Sequence, residues 1–352
     1  MRECRRAAEE VKCGPSPVST NDVSQSATSP ASPLDLAALA LDVAGRQGSL
    51  ATLLSSRLVL VTGKGGVGKT TLAAALGKIA AATGKRVLLA EVGTEPKDRS
   101  PILSALGEDR PSSLEPMKVG ENLWTVLLTP ESGHRAFLRD VLPLGFLADR
   151  AMKAEPLKRF LTAAPAFAEL GVLYRGLQLV RAKRTRNIPL FDLVVLDAPA
   201  TGHALAFASL PQLLLKVIPG GPIGRAAREG IALLHDPAVT RAIVATLPEH
   251  LPVSEALELV QGLRKSSLAV HGVVANQVPH DPFSPAEHDT LSRLLARAEV
   301  AGARTLHRIG RAKAALLRLE ESVGGVLHVR EQSQRGAGLV QLVAHDLSAG
   351  RA

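Results

Sequence analysis

Cysteine is nearly absent: the 352-residue chain carries two, Cys4 and Cys13. No CxxC pair occurs, which excludes a disulfide framework and argues against a structural zinc site or a cysteine-held iron–sulfur cluster. Methionine numbers three, too few for a methionine-rich adaptable groove. Long apolar runs are also missing. None reaches the roughly 18 residues of a membrane-spanning helix, and the nearest, Leu205 to Ile218, is broken by Pro211 and Lys216. The first residues, MRECRRAAEEVKCG, hold no apolar core segment of a secretory signal. The expectation is a soluble, cytoplasmic protein without stable membrane insertion. The net charge is +9, from 42 basic against 33 acidic residues. Because the basic residues are dispersed and Arg far outnumbers Lys, as in GC-rich coding, no nucleic-acid partner is expected.

What is present is enough apolar mass, 46% of residues, for a sizeable core. Residues 1–33 are rich in Ser, Pro, Thr and Ala without hydrophobic period, and are expected to form a disordered tail. Residues 34–352 are expected to form one domain, opening with a short helix over Leu34–Val43. Short apolar runs of the buried-strand type lie at 57–62, 86–92, 123–129, 191–197, 241–247, 267–276, 304–310 and 325–329. Helical patterns separate most of them, one of them over about 69–83. Alternating strand and helix predicts an α/β fold: a doubly wound, mostly parallel sheet of about seven or eight strands, with helices on both faces. Segments 130–190 and 204–240 break the rhythm and are expected to be a helical insert subdomain. Five of the seven Phe lie there: Phe137, Phe146, Phe160, Phe167 and Phe207.

Directly after the first strand runs Gly63-Lys64-Gly65-Gly66-Val67-Gly68-Lys69-Thr70, a match to G-x-x-x-x-G-K-[ST]. In such a loop successive backbone N–H groups cradle phosphates, and the following helix presents its positive end to them. Lys69 is expected to reach the β- and γ-phosphates of ATP, and the Thr70 hydroxyl to ligand Mg²⁺. Thr71 is counted with the nucleotide contacts. A strand ending in Asp197 supplies a carboxylate at the sheet edge beside that loop, where Mg²⁺ coordination needs one.

Lys64, a second lysine early in the loop, makes the octamer the deviant form GKGGVGKT, which resembles that of the MinD/ParA/ArsA class of dimeric P-loop ATPases. In that class such a lysine reaches the partner's nucleotide, so Lys64 is expected to act catalytically with Lys69. Asp197-Ala198-Pro199-Ala200-Thr201-Gly202-His203 resembles the D-T-A-P-T-G-H segment of the ArsA-like ATPases, a family that includes the arsenite-pump subunit and the targeting factors for tail-anchored membrane proteins. The resemblance implies that Gly202 and His203 belong to a γ-phosphate-sensing switch. Asn276 and Gln277, ending a strand, are similar to the family's V-N-Q, whose amide pairs with adenine. TLPEHLPVSEALEL (246–259) is similar to its Pro-Glu strand end. The resemblance covers about residues 57–345. It implies a homodimer or paired homologue, opened and closed by nucleotide, acting on a client protein. Residues 137–147 and 204–218 are candidates for the client surface, with ordinary insert core as the alternative.

The sequence departs from the family in two places. Where the family has D-P-A-H-N-L-S-D after the second strand, this chain has Glu91-Val92-Gly93-Thr94-Glu95-Pro96-Lys97-Asp98. The water-orienting Asp falls on Gly93 without a gap, or on Glu95 with a two-residue insertion. Glu95 is the catalytic candidate, or else a solvated loop acid; Asp98 is the fallback. Glu91, nearer the strand body, is expected to point away or pair structurally. No cysteine lies in the helical region, which disfavours arsenite transport. Two alternatives stay open: an ATP-binding scaffold with little hydrolysis, and a MinD/ParA-type positioning ATPase. Against the latter, the C-terminal stretch GLVQLVAHDLSAGRA is only weakly amphipathic.

Overall fold

The structure is a computed structural model that describes residues 49–96, 98–141, 165–198, 201–217, 219–295 and 302–350. All of these fall within one compact unit spanning 35–352. The expected tail at 1–33, the helix at 34–43, and Phe146 and Phe160 lie outside the described residues.

In chain order the elements are α1 (Ser49–Leu54), β1 (Leu58–Gly63), α2 (Lys69–Ala82), β2 (Val87–Val92), α3 (Pro101–Leu106), β3 (Met117–Gly120) and β4 (Leu123–Leu128). Then follow α4 (Pro130–Val141), α5 (Pro165–Arg181), β5 (Leu193–Asp197), α6 (Thr201–Val217), α7 (Gly221–Leu234), β6 (Thr240–Thr246) and α8 (His250–Lys265). The last are β7 (Val270–Val278), α9 (Pro285–Leu295), α10 (Ala303–Val323), β8 (Val326–Arg330) and α11 (Gly336–Ser348). The sheet has eight strands in the order β3-β4-β2-β5-β1-β6-β7-β8. All neighbouring pairs are parallel except β3–β4. This is the doubly wound sheet expected from the alternation of elements.

The strands are apolar throughout because both faces are covered. In β1, Leu58 and Leu60 face a core built with α5, α6, α8 and α10, while Val59 and Val61 face one built with α1, α2 and α11. The alternate burial follows from the two-residue period of a strand.

One strand expectation needs correction, and one strand was not expected. Residues 304–310 are helical, the start of α10. Ile309, Ala312, Ala315, Leu316 and Leu319 are its buried positions, a spacing of three to four that a seven-residue window is too short to reveal. The short antiparallel edge strand β3 carries no apolar run; its residues alternate between half-buried and exposed, and a four-residue edge leaves little signal.

In the insert, α4 and α5 approach so closely that a Cβ on Gly133 would lie 1.7 Å from the Gly171 carbonyl oxygen. Phe137 packs edge-on to Tyr174 at 5.2 Å, and the Tyr174 hydroxyl donates to Asp140 Oδ2 at 2.6 Å. Phe207 on α6 is 2% exposed and belongs to the main core. On the opposite layer, α11 buries Val340, Val343, Ala344 and Leu347, and Asp346 accepts two guanidinium hydrogen bonds from Arg330 of β8.

Candidate nucleotide site

β1 lies between β5 and β6, so the chain leaves the middle of the sheet at Gly63 and enters α2 through an exposed turn. Gly68 precedes the helix with φ +91°, and a Cβ there would stand 2.2 Å from the Asn276 Nδ2. Only glycine fits both the dihedral and the space. Val67 is buried beneath the loop and Thr71 is half-buried in the first turn of α2, while Gly65 and Gly66 are exposed. No side chain caps α2, so its first backbone N–H groups lack intrahelical acceptors and face the mouth of the loop.

Three groups converge there. Lys69 Nζ donates to the Lys64 carbonyl at 2.9 Å, holding the loop closed on itself. Burial lowers the Lys69 pKa, and the charge of Asp197 opposes that shift. The Thr70 hydroxyl donates to Asp197 Oδ2 at 2.6 Å. Burial pushes the Asp197 carboxyl up to about 6; the Thr70 hydrogen bond and Lys69 pull it down, and Glu91 pushes it further up. These residues line a cleft of about 210 Å³ together with Glu91 and Pro101. A hydroxyl and a carboxylate oxygen side by side, beside a half-buried ammonium, are hard donors that fit a Mg²⁺ ion and the phosphates it accompanies.

The remaining candidates are distributed as follows. Lys64 Nζ donates to Glu255 Oε1 on α8 at 2.7 Å. The other oxygen of Glu255 is buried without a hydrogen-bond partner; nothing in the sequence singled that residue out. Asn276 Nδ2 donates to the Val67 carbonyl at 2.8 Å, so the amide packs on the phosphate loop itself. Gln277 is exposed with φ +58°, in a register shift between Ala275 and Val278. Such an irregularity re-aims side chains at a strand end. Thr201, Gly202 and His203 form the first turn of α6; their side chains lie outside the described residues. Glu95 is exposed and lines a separate cavity of about 380 Å³ against α4 and α5, with Glu131 and Arg135. Asp98 is exposed.

Of the two expectations for Glu91, that it points away or that it pairs structurally, the second holds and the first does not. Glu91 is 7% exposed, lines the phosphate cleft, and stands in register with Asp197 on the adjacent strand. It does pair structurally, accepting from Ser100 Oγ at 2.8 Å. The available signal was strand parity: Val87 and Leu89 share its face, as Leu193 and Val195 share that of Asp197.

Fold and loop together define a P-loop α/β protein. Within that class the chain is similar to the ArsA-type ATPases: residues 56–219, just under half of it, match the family model described as anion-transporting ATPase. Among similar proteins, "ATPase BagA" of Mycobacterium tuberculosis is 32% identical over 227 residues, 63% of this chain and 65% of that protein. The "Arsenical pump-driving ATPase" of Acidiphilium multivorum is 29% identical over 263 residues, 68% of this chain and 42% of that protein. The "ATPase ASNA1 homolog" of Dictyostelium discoideum is 26% identical over 253 residues, 62% of this chain and 71% of that protein. The chain thus spans just under two thirds of the mycobacterial relative and about two fifths of the arsenical-pump protein.

Proposed function

We propose that this chain binds ATP with Mg²⁺ in the cleft at the start of α2, hydrolyses it, and uses the cycle to open and close a dimer that acts on a client protein. The observation that carries this reading is the convergence of Lys69, Thr70 and Asp197 at the mouth of a glycine-built loop. Lys69 would exchange its bond to the Lys64 carbonyl for phosphate oxygens. Thr70 and Asp197 would hold the ion, which when bound neutralises phosphate charge. The backbone N–H groups of the loop orient the phosphates, and Asn276, already packed on the loop, is positioned for the adenine side. The relatives named as ATPases support the hydrolytic part of the reading.

Lys64 is the residue proposed to act across a dimer, as the deviant loop implies; in the single chain its head group is held by Glu255. The Thr201–His203 turn is proposed as the γ-phosphate sensor. Glu95 is proposed to orient the attacking water from the loop after β2. In the arrangement seen it lines the neighbouring cavity, so that role requires movement of the loop. Leu213 and Val217 on α6 are 55% and 71% exposed, which supports a client-facing surface on the insert. Arsenite is disfavoured as cargo because both cysteines lie at positions 4 and 13. The apolar face of α11 is spent on the core, which weakens the reading as a membrane-positioning ATPase held by a C-terminal amphipathic helix; among the described residues no helix is long and apolar enough to cross a membrane.

A second reading, an ATP-binding scaffold with little turnover, is favoured by the gap-free register, in which Gly93 takes the place of the family's aspartate. Single-turnover hydrolysis by the purified protein separates the two: release of phosphate supports the switch, and stable bound ATP supports the scaffold.

A further inference from the structure

We infer that Glu91 is a second acid of the phosphate cleft, a positioning residue whose carboxylate accepts hydrogen bonds from the water shell of the Mg²⁺ that Thr70 and Asp197 would hold. The inference rests on the proposed binding of Mg·ATP in this cleft and assigns a role to a residue outside the matched motifs.

Four observations carry it. Glu91 and Asp197 are register partners on β2 and β5, and their side chains emerge on the same face, over the start of α2. Both line the same cleft with Lys69 and Thr70. Glu91 is more than nine-tenths buried, and the hydrogen bonds that anchor it converge on one oxygen: Oε2 accepts from Ser100 Oγ at 2.8 Å and from the Ile102 N–H at 3.4 Å. The competing acids of the same loop, Glu95 and Asp98, are exposed, and neither lines this cleft.

Two carboxylates on neighbouring strands, one buried and one half-buried, lining one cleft with Lys69, form an arrangement that a divalent cation stabilises and that their mutual repulsion otherwise opposes. Mg²⁺ keeps several of its waters, so an acid one water away serves it without direct ligation. Ser100 fixes the orientation: its hydroxyl donates to Glu91 and also accepts from the Leu103 N–H at the start of α3. Orienting partners of this kind set metal affinity in other sites. A purely structural role, anchoring α3 to β2, needs only an acceptor and no charge, and a glutamine amide oxygen supplies one.

The test is calorimetric titration of ATP, in Mg²⁺ and in EDTA, into wild type, Glu91→Gln and Asp197→Asn, with thermal melting of each. In Glu91→Gln the gain in ATP affinity that Mg²⁺ confers should fall about tenfold, with affinity in EDTA and the melting temperature close to wild type. If Glu91→Gln keeps the full Mg²⁺ gain while Asp197→Asn loses it, the inference is overturned and the nucleotide reading stands. If wild type binds no ATP in either buffer, both are overturned. Should Glu91→Gln not fold, Glu91→Asp keeps the charge but withdraws it by one methylene: a reduced Mg²⁺ gain supports the role, and an unchanged gain overturns it.

Discussion

The Thr70 hydroxyl donates to Asp197 Oδ2 across 2.6 Å, joining the first turn of α2 to the end of β5. A residue that begins a helix and one that ends a strand 127 positions away are thereby locked on the same edge of the sheet. The contact also fixes the acid in a half-buried place, where burial raises its pKa to about 6.

That shift has a defined sign. The folded state binds the Asp197 proton more tightly than the unfolded chain, so the ionised carboxylate opposes folding above pH 6. The penalty diminishes as pH falls from about 6 toward the unfolded value near 3.8. In EDTA, Asp197→Asn should therefore melt above wild type at pH 8, and the gap should narrow between pH 6 and pH 4. Melting curves across that range check it.

Lys69→Ala removes a half-buried ammonium whose acceptor is a loop carbonyl. A charge-assisted contact of about 1.5–3 kcal/mol is lost from phosphate binding, so ATP affinity should fall by one to two orders of magnitude, with little change in melting temperature. Calorimetry and a melt on the same sample measure both.

Lys64→Ala breaks an ion pair in which both side chains are a third or more exposed, so stability should change by less than about 1 kcal/mol. ATP affinity should stay within about tenfold, roughly 1.4 kcal/mol. Hydrolysis and ATP-dependent dimerisation should both drop, as read by phosphate release and sedimentation velocity. Normal dimerisation and turnover would leave Lys64 as a solvated cation of the loop.

Gly68→Ala places a Cβ 2.2 Å from the Asn276 amide at φ +91°. The loop or the β7 end must shift, at a cost of about 1–3 kcal/mol. Both the melting temperature and ATP affinity should fall, and a structure of the variant should show the Asn276–Val67 hydrogen bond broken.

The sheet and the loop were legible because their physics is local. Buried parallel strands are apolar throughout, and a phosphate cradle needs glycines and a lysine in a fixed order. Seven of the expected strands appear within a few residues of their place. The start of α10 was misread because the window 304–310 holds only two apolar residues, Leu306 and Ile309, too few to fix a period; their spacing of three continues at Ala312 and Ala315 as one helix face. In the site, Lys69, Thr70 and Asp197 meet as their motifs imply. Glu255 and Ser100 were invisible, since their partners lie 191 and 9 positions away and only the folded chain sets those distances.

The most direct measurement is a calorimetric titration of Mg·ATP into the wild-type protein, repeated with Lys69→Ala. Saturable binding at one nucleotide per chain, strongly weakened by the substitution, is the predicted result. No binding to wild type, or equal affinity in the variant, would contradict the assignment of this cleft as a nucleotide site.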